Sequence, residues 1–122
     1  MKKLITVLAL LLLGSICFGA SGTVCKISDA FENNAISAKS MYGGRNVMIA
    51  GYVEDVGWDL FGNLQLTLKC STDDFDLKQV VIEMKSNQES VMSQLQPNSW
   101  VNVTADFSGK MIFPFYKNGR LR

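Results

Sequence analysis

Five segments of this chain alternate apolar and polar residues with period two, and one helix-start signal falls between the third and the fourth. Val47, Ile49, Gly51 and Val53 share a face of the first segment, with Met48, Ala50 and Tyr52 on the other. Leu64, Leu66 and Leu68 alternate with Gln65, Thr67 and Lys69, and Val80, Ile82 and Met84 alternate with Val81, Glu83 and Lys85. Val101, Val103, Ala105 and Phe107 alternate with Trp100, Asn102, Thr104 and Asp106, and Met111, Phe113 and Phe115 carry the last segment. Such alternation marks strands with one face on a core and the other toward water. A helical bundle is excluded, and five strands are too few for a two-sheet sandwich of about seven.

The connections sharpen this. Gly57 to Asn63 is turn-rich at both ends and joins the first two strands as a hairpin, while Ser71 to Asp76 is a polar, acidic loop. Ser86-Asn87-Gln88-Glu89 matches a capping box, after which Val91, Met92 and Leu95 share a helical face that Pro97 ends. Ser108-Gly109 reads as the turn between the last two strands, Pro114 suits an edge or bulge, and Gly51 suggests a bend or a close backbone approach. Ahead of the strands, Ile27, Phe31, Ala35, Ala38 and Tyr42 form the stripe of one amphipathic helix, with Ser28 as N-cap, Asp29 in its first turn and Gly43-Gly44 as its stop. The pattern predicts a mainly β domain: a five-stranded OB-fold Greek-key barrel with an N-terminal helix and a short helix between strands three and four.

Lys2 and Lys3 precede the apolar run Leu4 to Leu13, and the small residues Gly14, Ser15, Gly19, Ala20, Ser21 and Gly22 follow, the layout of a secretory signal peptide. Cleavage after Gly19 or after Gly22 satisfies the small-residue rule, so residues 1–22 are read as leader and 23–122 as the barrel domain, with a mature start between Ala20 and Thr23. The run is too short for a membrane span of about 20 apolar residues. The expected location is the periplasm or the medium. Cys17 invites a lipoprotein reading, but Ile16 stands where that processing wants a small residue, so lipid anchoring is the lesser expectation. Loss of Lys2 and Lys3 leaves ten basic against eleven acidic residues, a net charge of −1, which does not draw the domain to nucleic acid.

Export leaves Cys25 and Cys70 in an oxidising compartment, where an even pair favours a disulfide; the alternative is that Cys70, continuing the phase of Leu64, Leu66 and Leu68, is a buried free thiol. The chain has no His. That removes the commonest general base and metal ligand and every Ser/His or Cys/His nucleophile, so no enzymatic activity, catalytic residue, cofactor or metal is expected. Asp73-Asp74-Phe75-Asp76 lacks the Gly and distal Glu of a calcium loop and reads as a solvated acidic turn.

Phe31-Glu32-Asn33-Asn34-Ala35 with Ala38 and Tyr42, then Val47 to Val53 with Gly51, then Asp59-Leu60-Phe61-Gly62-Asn63, resembles the tRNA-anti-like family of exported bacterial OB-fold proteins. The resemblance runs from about Ser28 to Gly109. Many members look like lipoproteins, and Ile16 departs from that pattern. The resemblance implies a fold shared with nucleic-acid binders and brings no catalytic residues, since function lives in sites rather than folds.

OB folds usually bind on the face of strands two and three, between the first hairpin loop and the loop joining strands four and five. This nominates Gln65, Thr67, Lys69, Glu83 and Lys85, with Trp58 and Phe61 from the hairpin and Ser108 and Lys110 from the other loop. Trp58 and Phe61 either stack on bases or sugar faces or cap one end of the barrel. Trp100 is expected under the N-terminal helix, and Lys117, Arg120 and Arg122 form an aromatic-plus-basic ending that either meets an anion or frays as a soluble tail. The leading expectation is an exported, non-enzymatic binding module of the bacterial envelope for a protein or oligosaccharide, and the alternative is a single-stranded nucleic-acid binder.

Overall fold

The computed structural model of the protein describes residues 20–122, so the expected leader through Gly19, with Cys17, lies outside the described residues. The elements are β1 (Ser21–Thr23), α1 (Val24–Asn33), α2 (Ala35–Tyr42), β2 (Val47–Trp58), β3 (Leu64–Lys69) and β4 (Gln79–Met84), then a 3-10 turn (Ser86–Gln88) leading into α3 (Glu89–Met92), β5 (Trp100–Lys110) and β6 (Pro114–Leu121). β2 is long because it serves two neighbours. Val47 to Tyr52 pairs antiparallel with β5, and Tyr52 to Trp58 pairs antiparallel with β3. β4 follows β3 antiparallel and meets β6 in parallel, β6 returns to β5, and the β2–β5 pairing closes a five-stranded barrel. This is the OB arrangement expected from the pattern, with α3 between the third and fourth barrel strands.

The alternating apolar positions fill the barrel: Ile49, Val53, Leu66, Leu68, Val80, Ile82 and Val103 are fully buried, and α1 adds Val24, Ile27 and Phe31. Phe31 stacks on Phe107 at 5.4 Å between ring centroids. Tyr116 is wholly enclosed, and its hydroxyl donates to the Tyr42 carbonyl at 2.6 Å; burial pushes its acidity far down, so it stays a neutral donor. Gly51 is the close approach its place in a strand suggested. A Cβ there would stand 2.5 Å from Val24 Cγ2 and 3.1 Å from the Lys69 carbonyl oxygen, so α1 rests on bare backbone. Cys25, in the first turn of α1, is disulfide-bonded to Cys70 just beyond β3, with Cα atoms 4.7 Å apart.

Five local expectations are corrected. The leading helix is two helices, capped by Thr23 rather than Ser28: Thr23 Oγ1 accepts from the Lys26 amide, while Ser28 is buried mid-helix and donates to the Gln79 carbonyl. The break is Asn34, whose extended backbone ends α1 while its side chain accepts from the Ser37 amide and caps α2; Ala35 consequently falls on the exposed side. A sixth strand, β1, lies parallel to β2, pairing Ser21 with Met48 and Thr23 with Ala50. The capping box does not form: the 3-10 turn has no side-chain cap bond, and the Gln88 side chain accepts from the Leu121 amide instead. β5 runs on through Ser108 and Gly109, because a bulge at Gly109 (φ 153°) preserves the pairing with β6, and the turn is Met111 to Phe113. Pro114 opens β6, a position that needs no N–H.

Candidate functional site

The strand face nominated from the sequence is closed rather than open. Val53 pairs with Leu68 and Asp55 with Thr67, leaving Glu54 as the extra residue of a bulge in β2. From there its carboxylate reaches Lys69 Nζ at 2.9 Å, and Lys69 is only 4% exposed. Thr67, between Asp55 and Val81 of the flanking strands, is buried as well. Gln65 and Glu83 face each other across β3 and β4, both half-buried. Lys69 and Thr67 are therefore withdrawn from the contact surface, and the middle of this face offers a ligand little free polar area.

The hairpin between β2 and β3 does the opposite. Trp58 is 64% exposed, Phe61 89% and Leu60 100%, so neither aromatic plugs the barrel. Their presentation is fixed by Asp59. Its Oδ1 accepts from the amides of Phe61 (2.8 Å) and Asn63 (2.9 Å), its Oδ2 accepts from Asn63 Nδ2, and its backbone amide donates to the Asn63 carbonyl. The Asn63 amide first, then the Phe61 amide, outweigh desolvation and hold the Asp59 carboxyl below its usual range. Gly62, at φ 83°, supplies the left-handed residue of the turn. Beside the tip, Val56, Trp58 and Leu64 face Met92 and Leu95 across a groove of about 320 Å³, with Glu89 and Ser93 on its rim.

The remaining nominated residues are dispersed. Lys110 stands in a separate cleft of about 300 Å³ between α1 and the two loops that carry Leu77 and Ile112. Beside it Leu77 and Ile112 are strongly exposed, an apolar pair that the sequence hid because its halves come from loops far apart in the chain. The Asp73 to Asp76 turn is tied internally: Asp76 accepts from the Ser71 hydroxyl and the Lys78 amide, and Asp73 accepts from the Phe75 amide. Among the described residues no three His, Cys, Asp or Glu side chains converge to hold a metal ion. Trp100 is not covered by a helix; it is 49% exposed and packs edge-to-face on Tyr52, its partner across the strand pair.

Lys85 and Arg120 share one concavity. They line a polar pocket with Arg45, Asn46, Asp106 and Asn118. Lys117, Arg120 and Arg122 belong to or follow directly on β6 rather than fraying, and Arg122 Nε donates to Thr104 Oγ1 at 2.7 Å. Among the described residues no helix is long and apolar enough to cross a membrane.

Comparisons with known proteins agree with this architecture. The crystal structure of a "putative nucleic acid-binding lipoprotein" from Klebsiella pneumoniae subsp. pneumoniae MGH 78578 superposes with a TM-score of 0.64 at 16% identity, covering 85% of this chain and 92% of the other. At that identity the likeness is one of fold. No curated protein matches in sequence. The profile of the tRNA_anti-like family matches residues 4–119, nearly the whole sequence, and the chain belongs to that family.

Proposed function

We propose that the protein is a non-enzymatic binding module, exported to the cell envelope, that engages a protein partner through the β2–β3 hairpin. One observation carries this reading: Trp58, Leu60 and Phe61 project from a turn that Asp59 organises into a single shape. Exposed large side chains on a mobile loop would cost a partner ordering entropy, whereas a pre-set tip avoids most of that cost. Aromatic anchors beside an apolar groove are the usual makings of an interface hot spot. The absence of His supports a binding role over catalysis.

A second reading, single-stranded nucleic-acid binding, is favoured by the description of the Klebsiella protein. Against it stand the net charge of −1 for the chain without its leader and the closure of the β3–β4 face by Glu54 and Lys69. A photo-crosslinking aromatic placed at position 61 in producing cells is expected to trap one discrete protein, with no adduct from the exposed helix position Lys26. In parallel, fluorescence of the two tryptophans reports titrations with oligosaccharides and single-stranded oligonucleotides. A saturable response lost in Trp58→Ala would redirect the reading to sugar if salt-independent, and to nucleic acid if it weakens steeply with salt. No adduct at position 61 overturns the protein-partner reading.

A further inference from the structure

Residues 45, 85 and 120 are far apart in sequence and carry three cations into one concavity. Arg45 directly precedes β2, Lys85 follows β4 and Arg120 lies near the end of β6; together with Asn46, Asp106 and Asn118 they line a polar pocket of about 310 Å³. Among the described residues the ion pairs are Lys69–Glu54 and Lys78–Asp29, so none of these three cations is in direct ion-pair contact with a carboxylate. The single acid in the pocket offsets one charge at most, and its oxygens accept hydrogen bonds. Asp106 Oδ1 accepts from the Asn46 amide at 2.9 Å and its Oδ2 accepts from Asn118 Nδ2 at 3.0 Å.

Those two bonds join the segments that bear the cations. Asn46 and Asn118 both sit in the left-handed region, at φ 54° and 56°, a conformation Asn tolerates better than most residues. Asp106 thus pins the turn after Arg45 to the bend before Arg120, and the lining keeps a charge of +2. Asp106 stays ionised well into acid: burial opposes this, but the Asn46 amide, the Asn118 side chain and the charges of Arg45 and Lys117 prevail.

We propose that this pocket is a binding site for a phosphate group, held by Arg45, Lys85 and Arg120. Two guanidinium groups offer paired donors that match phosphate oxygens, and a lysine adds a point charge. The volume exceeds what one carboxylate fills and accommodates a phosphate with part of its ester. The pocket also lies near β1, because Asn46 is two residues from Met48, whose amide donates to the Ala20 carbonyl. The phosphate belongs either to a free soluble ester or to a lipid headgroup.

The test uses isotope-labelled protein recovered after export, at low salt, with inorganic phosphate, glycerol 3-phosphate and vesicles containing phosphatidylglycerol or only phosphatidylcholine. Saturable amide shifts confined to residues 45–46, 85, 106 and 118–120 are expected with at least one of the two phosphates, and none with chloride at equal ionic strength. Arg45→Gln with Arg120→Gln should weaken binding about tenfold or more, and Lys85→Met should weaken it less. These side chains are exposed, so unchanged core resonances will show that the variants are folded. Preference for glycerol 3-phosphate with co-sedimentation on phosphatidylglycerol vesicles assigns the headgroup source; binding of either phosphate without vesicle binding assigns the soluble one. Absence of saturable shifts with both phosphates, unchanged affinity in the double variant, or response to a single-stranded oligonucleotide alone overturns the proposal. Because Trp58→Ala leaves this pocket intact, failure here and failure of the hairpin reading are separable.

Discussion

Opening the Cys25–Cys70 bridge is expected to remove about 4 kcal/mol from the stability of this domain. The bridge spans 45 residues, and the chain-entropy treatment of a cross-link assigns a loop of that length about 4 kcal/mol at 25 °C. Since small domains are stable by only about 5–15 kcal/mol, the bridge supplies a quarter or more of the total. The loop it closes holds nearly all of α1 and the whole of α2, β2 and β3, so the unfolded chain gains its freedom over nearly half the barrel. At about 4–8 °C per kcal/mol for this size, the melting temperature should fall by about 16–32 °C. With a urea slope of about 1–3 kcal/mol/M the midpoint should fall by about 1–4 M. Urea unfolding of the oxidised protein against Cys25→Ser/Cys70→Ser measures this, with intact mass confirming that the oxidised form is two hydrogens lighter than its thiol form. A loss below about 1 kcal/mol, or free thiol at both positions in protein recovered after export, would refute the reasoning.

Gly51→Ala should destabilise by about 1–3 kcal/mol, because the new methyl meets Val24 and the Lys69 carbonyl; an unchanged melting temperature would mean that α1 does not rest there. Stability should be flat between about pH 5 and pH 9, since no His is present to titrate there. Asp59, Asp76 and Asp106 are held below their ordinary value of 3.8, so what they contribute is present above about pH 4 and is lost as pH falls through their lowered values. The Asp29 carboxylate raises Lys78 above 10.5, so its contribution is complete below that pH and is lost as pH rises past the raised value. A urea midpoint that drifts between pH 5 and pH 9 would contradict the flat window, and one that does not fall below pH 4 would contradict the carboxylate contribution. Mass analysis of the exported protein should find Ala20 as its first residue, because cleavage after Gly22 would discard most of β1; a start at Thr23 would show that β1 is dispensable.

The barrel was legible because each strand keeps one face on the core, and a period of two cannot be mistaken over six residues such as Leu64 to Lys69. What escaped depends on competition between near-equal local solutions. Asn34 turned one apparent helix into two because its side chain can serve as a cap at any position, and the apolar spacing continued across the break. β1 has three residues and no alternation long enough to register. Within the site, Trp58 and Phe61 were found because the turn-rich stretch from Gly57 to Asn63 marks a hairpin, which is a local signal. The closure of Lys69 by Glu54 was not, because a bulge shifts one residue between faces without leaving a mark in composition. The Arg45, Lys85 and Arg120 cluster needed the third dimension altogether.

The pairing of β1 with β2 leaves no slack between the start of the described chain and the barrel: the Ala20 carbonyl is already bonded at Met48, near one end of β2, and Trp58 closes the other. Ten residues of strand separate those points, a span of at most about 33 Å and less with the curvature of a barrel. The Ala20 contact and the hairpin tip therefore stand at opposite ends of one paired strand, and their separation is set by the barrel itself. Because β2 is paired along its length with β5 and then β3, inserting or removing a residue in it would move the side chains beyond that point to the opposite face, so the tip cannot be moved outward without rebuilding the barrel.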